Sequence, residues 1–133
     1  MSIVKRFEDL NVWQKARALC KDLNPKITEG KFGRDFGLRD QLNRSSGSVM
    51  DNIAEGFERE GKNEFIQFLS YAKGSSGEVR SQLYRAFDRQ YLNSEELKEF
   101  LTRTEEVTKM LTGLIIYLKK SSIQGLKYKK DEA

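Results

Sequence analysis

Between Asp35 and Gly56 the chain carries two separate stripes at helical spacing, and this double pattern restricts its fold more than any other feature. At 100° per residue, Leu38, Leu42, Val49 and Ile53 share one face, as a helix buried against partners requires. Arg44, Ser48, Asn52 and Glu55 form a second row, about 115° round the same wheel. A monomeric bundle needs only the first row. The second implies that this helix meets something besides an apolar core.

Three further segments repeat the helical period. Val12, Trp13, Ala16, Leu19, Cys20 and Leu23 set a first helix over 10–23. Asn24-Pro25 is read as its stop or kink, because proline removes a donor and disfavours a helical residue before it. Ile27 allows one more turn, and 28–34, with Gly30 and Gly33, is the expected loop. Gly56 is placed as the C-terminal glycine of the two-striped helix. Asn63 is the expected cap of a third helix, whose buried stripe is Phe65, Leu69, Ala72, Val79, Leu83, Ala86 and Phe87. That stripe keeps phase across Gly74-Ser75-Ser76-Gly77, so one continuous helix is preferred over two short ones. The small residues then mark a place where another backbone comes close.

Asn93 or Ser94 caps the fourth helix, with Glu95 and Glu96 favourably placed in its first turn. Its seam is Leu97, Leu101, Thr104, Thr108, Leu111, Ile115 and Leu118, widened by Phe100, Val107 and Leu114. No strand alternation or internal repeat interrupts the pattern. The reading is an all-α, antiparallel up-down-up-down four-helix bundle over 1–120, followed by a disordered, mostly basic tail over 121–133.

The single cysteine excludes an intrachain disulfide, and Cys20 reads as a small buried hydrophobe. No apolar leader follows Met1, and no run of apolar residues is long enough to span a bilayer, so the expectation is a cytosolic protein without membrane contact. Net charge is +4, with segments alternating between positive and negative along the chain. Such alternation suits antiparallel neighbours rather than one strong phosphate-binding face.

The chain contains no histidine. That removes the commonest general acid–base group, the commonest metal ligand and any histidine-assisted nucleophile. There is no cysteine cluster, no Glu-x-x-His pair and no phosphate-cradling glycine loop. The glycine-flanked serines at 74–77 lack both the spacing and the base of a nucleophile elbow. No catalytic residue, metal site or cofactor is expected.

The candidate residues are therefore polar rows. Tyr71, Ser75, Glu78, Gln82 and Arg85 lie within about 80° of one another on the third helix. Together with Arg44, Ser48, Asn52 and Glu55 they suit three arrangements: a hydrated flank, a network between the second and third helices, or a contact with a neighbouring subunit. Arg44 with Glu78, and Glu55 with a basic group opposite, are feasible pairs. Replacing Glu55 or Glu78 by alanine is expected to perturb assembly or stability more than replacing Glu96 on the first turn of the fourth helix. Lys5, Arg6, Lys15, Arg17, Lys119 and Lys120, with Lys127, Lys129 and Lys130, lie near the termini or on the first helix. An antiparallel bundle brings both termini to one end, where these cations suit phosphate contact without sequence reading, or simply a solvated surface. Trp13 is expected in the core or an interface.

Several segments carry a family resemblance: Phe7 to Ala16, Phe36 to Leu42, Ser48 to Arg59 with its Asn52-Ile53-Ala54-Glu55-Gly56, Glu64 to Leu69, and Ala72 to Tyr84 with its Gly-Ser-x-x-Glu. In order, over 7 to about 118, the chain resembles the bacterial four-helix-bundle family named for proteins encoded in intervening sequences of 23S ribosomal RNA genes. The resemblance implies a ring-like homopentamer. It also implies kinship with accessory proteins of diversity-generating retroelements, basic pentamers that bind nucleic acid and a reverse transcriptase. The chain departs from the pattern at Asn43-Arg44-Ser45, where two arginines and a small residue are usual, and at Gln90, where glycine commonly precedes Tyr-Leu. Two functions follow: an oligomeric adaptor for RNA or other nucleic acid without catalysis, or a protein-interaction module that binds no nucleic acid.

Overall fold

The computed structural model describes residues 3–121 together with 128–129. Four long helices, α1 (Asn11–Thr28), α3 (Phe36–Glu58), α4 (Lys62–Asp88) and α5 (Ser94–Lys120), pack as a bundle, with a short helix α2 (Gly30–Arg34) between α1 and α3. A 3-10 turn, Phe7–Asp9, precedes α1. The long helices touch in a closed ring: α1 with α3, α3 with α4, α4 with α5, and α5 with α1.

Surface pairs fix the directions. Along α1, Lys15, Asp22 and Lys26 meet Glu106, Arg103 and Glu96 in turn, so α1 and α5 run antiparallel. Ser45 meets Gln82 and Ser48 meets Ser75, which gives α3 and α4 the same relation. The core lies along the bundle axis. Leu42, Ile53, Phe65, Leu69, Leu83 and Leu111 are each fully buried, and burying such a side chain contributes roughly 1.5–3 kcal/mol.

The proline stop is corrected: α1 continues through Pro25 to Thr28. An interior proline costs about 3 kcal/mol, but only one turn follows, and Ile27 is buried to 1% exposure in it. Thr28 Oγ1 also donates to the Asn24 carbonyl at 2.8 Å. The expected loop over 28–34 is largely helical, and its Phe32 is buried, stacked on Tyr91 at 5.1 Å.

Other boundaries also move. Gly56 lies inside α3 rather than at its end, and the cap of α4 is Gly61 rather than Asn63. Asn93 caps α5 in a reciprocal capping box with Glu96. As expected, α4 is unbroken across 74–77, but among the described residues nothing beyond the surrounding turns of α4 comes within 4 Å of where a Cβ on Gly74 or Gly77 would stand. Phe87 is exposed, not part of the core stripe, and Cys20 is half-buried with its thiol 3.7 Å from the Ser46 hydroxyl.

One element had no sequence signal. Ile3–Val4 pairs antiparallel with Tyr128–Lys129 in a two-residue ladder, which holds the two ends of the chain together. The rest of the proposed tail, including Lys127 and Lys130, lies outside the described residues.

Candidate functional site

The polar rows of α3 and α4 meet because the helices are antiparallel and the rows flank their apolar stripes. Between them lies a groove of about 310 Å³ lined by Gln41, Arg44, Ser45, Ser48, Ser75, Glu78 and Gln82. Its floor is hydrogen-bonded. The Ser45 hydroxyl donates to Gln82 Oε1 at 2.6 Å, and the Ser75 hydroxyl donates to Ser48 Oγ at 2.9 Å. Asn52 Nδ2 donates to the Ser48 hydroxyl at 2.9 Å and to its carbonyl at 2.8 Å. Ser75 and Gln82 are both buried. A network of this kind fixes register, since its groups lose their partners if one helix slides.

The groove's charged residues behave differently. Arg44 and Glu78 are exposed, face the same groove, and form no ion pair with each other. The feasible Arg44–Glu78 pair is thus not made within the chain. Glu55 pairs with Arg59 one turn along its own helix, at 3.7 Å, rather than with a base on α4. Tyr71 accepts from Gln67 at 2.7 Å, and Arg85 reaches across to Gln41 at 2.7 Å. Of the candidate residues, the structure therefore joins Ser48, Asn52 and Ser75, bonds Gln82 separately to Ser45, sets Arg44 and Glu78 beside them, and leaves Glu55 apart.

Sequence reasoning missed Ser45 and Gln41. Ser45 lies between the two stripes of α3, and its small size and hydroxyl in a boundary position were the available signal. It also missed a cluster at the corner where α3 begins and α4 ends. There the Asp35 carboxylate accepts from the Leu38 amide as N-cap, from the Tyr91 hydroxyl at 2.8 Å and from Arg89 at 2.7 Å. The Tyr91 bond, followed by the other two, holds the Asp35 carboxyl below its ordinary value, and the same bond raises the Tyr91 phenol. Glu96 is no idle reference position. It closes the α5 capping box and pairs with Lys26, which together lower its carboxyl.

The basic candidates are spread over the end of the bundle that holds the chain termini and over α1. Arg6 pairs with Glu8 and Lys15 with Glu106, each at 3.3 Å, so part of their charge is offset. Arg17 lies over the buried Trp13 ring, 5.6 Å from its centre, and Trp13 and Phe7 pack in a T-shaped pair with centroids 5.1 Å apart. Lys119 and Lys120 sit exposed in the last turn of α5, where the helix dipole favours cations.

The hydroxyls of the groove have amides, carbonyls and other hydroxyls as partners, none of them a base that would activate a nucleophile. Among the described residues no group of His, Cys, Asp and Glu is arranged to hold a metal ion, and no helix is long and apolar enough to cross a membrane.

Four long helices packed in a ring, with a polar groove between two of them, make this an all-α helical-bundle protein. The family model described as 23S rRNA-intervening sequence protein matches residues 8–113, and the chain belongs to that family. Its fold is similar to the crystal structure of a protein with unknown function from the S23 ribosomal protein family of Bacteroides thetaiotaomicron VPI-5482. The TM-score is 0.71 at 21% identity, covering 78% of this chain and 97% of that one. No curated protein matches.

Proposed function

We propose that this protein is a non-catalytic homo-oligomeric adaptor, assembling as a pentameric ring and holding RNA or another nucleic acid through basic side chains near its chain ends. One observation supports the assembly: beneath Arg44 and Glu78 the groove's serines and Gln82 are hydrogen-bonded, while these two opposite charges have no ion-pair or hydrogen-bond partner among the described residues of their own chain. A second copy supplies the missing partners, Glu78 of one subunit meeting Arg44 of the next. Nucleic-acid contact is supported by Lys5, Arg6, Lys15, Arg17, Lys119 and Lys120, since a ring multiplies each cation fivefold on one assembly.

Light scattering on Arg44→Glu, Glu78→Arg and the double exchange tests the assembly. Each single reversal lowers the mass and the double exchange restores it; unchanged mass in all three removes the interface. Freshly purified protein carries nucleic acid by its 260/280 nm absorbance ratio. It binds structured RNA at about 50 mM salt with an affinity that falls steeply by about 200 mM. Absence of binding at the lower salt removes the adaptor role.

A second reading is a protein-docking module. Exposed Tyr71 and Tyr84 sit on α4 with Ser70, Gly74, Gly77 and Ser81, a row of small exposed residues that leaves room for close approach. Aromatic anchors of this kind are enriched in protein interfaces. A pull-down that recovers one defined protein, with no nucleic acid co-purifying, selects this reading.

A further inference from the structure

We propose a second nucleic-acid contact, at the end of the bundle away from the chain ends: Phe36 and Arg39 at the start of α3, flanked by Lys31 and Arg34, form a platform on which a base of a single strand stacks. This rests on the nucleic-acid reading above and adds a location and a strand preference to it. Phe36 is 62% exposed, more than any other exposed large apolar side chain among the described residues. Its position follows from the corner: Asp35 caps α3 through the Leu38 amide, so Phe36 is the first helical residue and points off the end of the core.

The ring is not bare on both sides. The Arg39 guanidinium lies over it, 4.6 Å from its centre. That guanidinium is fixed in turn, donating to the Gly33 carbonyl at 3.1 Å and to Asp40 Oδ1 at 3.0 Å. A cation held against one face leaves the other face presented in a set orientation, as a base requires for stacking.

The surrounding charge suits a phosphate backbone. Lys31 and Arg34 are exposed on α2 and form no ion pair with any of the described residues. The nearby carboxylates of Asp35 and Asp40 are occupied by Arg89 and Arg39, and Glu96 is paired with Lys26, which leaves Glu29 and Asp88 as acids of the corner without an ion pair among the described residues. A single strand fits and a duplex does not, because paired bases hide their faces from an aromatic side chain.

The test uses the full-length protein with a fluorescein-labelled oligoadenylate RNA and with its duplex. Phe36→Ala weakens single-strand binding about tenfold or more, and Phe36→Trp retains it. The double change Lys31→Gln and Arg34→Gln lowers the salt slope by about two. Because Phe36 is exposed, the alanine variant melts with wild type. If wild type binds and Phe36→Ala binds equally well, the platform is wrong and the adaptor reading stands. If wild type binds neither probe, both fall. Equal loss on the duplex, or an altered oligomer mass in Phe36→Ala, assigns the ring to another contact and overturns the proposal.

Discussion

Replacing Gly56 by alanine should destabilise this protein even though alanine is the better helix former. A methyl group at Gly56 would stand 2.5 Å from Phe68 Cβ and 3.1 Å from Phe65 Cδ1. Phe65 cannot turn aside, being fully buried with its ring edge-to-face on Phe57 at 5.8 Å. Phe68 Cβ is bound directly to the α4 backbone, so relief requires α3 and α4 to separate. Removing a helical glycine gains about 1 kcal/mol, whereas overpacking costs about 1–3 kcal/mol. With a backbone-fixed atom in the way the upper figure applies, and the net loss is about 2 kcal/mol. For a domain of this size that lowers the melting temperature by about 8 °C. Gly74→Ala and Gly77→Ala are the internal references, since both positions are open among the described residues. Each gains up to about 1 kcal/mol and melts about 4 °C higher. Urea and thermal denaturation, with light scattering alongside, separate the three. A Gly56→Ala variant that melts at or above wild type would refute the close approach of α3 and α4.

Three further outcomes are expected. Gln90 holds a left-handed φ of 65° at the end of α4, where the Tyr91 and Gln90 amides close back on the Ala86 and Phe87 carbonyls, so Gln90→Gly should stabilise by about 0.5–1 kcal/mol in urea. Leu69→Ala, at a fully buried site, should cost about 2–5 kcal/mol by the same assay. Because the Asp35 carboxyl is lowered, its contribution is present above the ordinary carboxylate value and is lost as pH falls below it. The raised Tyr91 phenol contributes below its ordinary value and loses that contribution as pH rises through its raised one. Asp35→Asn should therefore flatten both the acid and the alkaline limbs of stability against pH, and a variant retaining the wild-type slopes would contradict the cluster.

The apolar stripes of α3 and α5 were legible because every Leu, Val and Ile that set the period also faces the core. The groove was legible in half. Ser48, Asn52, Ser75 and Gln82 share rows at helical spacing, but a wheel does not say which rows face each other, and so Arg44 and Glu55 received partners they do not take within the chain. Ends were less legible than interiors. At Pro25 the helix was lengthened by burial of Ile27, a tertiary gain absent from local propensity. Gly56 looked like a terminus because its true role depends on two phenylalanines on another helix. The Asp35–Tyr91–Arg89 cluster joins residues more than fifty positions apart and has no periodicity to betray it.

The ladder between Ile3–Val4 and Tyr128–Lys129 bears on how the molecule reaches its native state. In the natural order α1 and α5 are neighbours separated by nearly the whole chain, so closing that seam is the entropically slowest step. Linking residues 3 and 129 by a short connector and opening the chain at the Gln90 corner would turn the same seam into a hairpin. The α4–α5 pairing would then become the distant one, and the order of helix docking should invert with it.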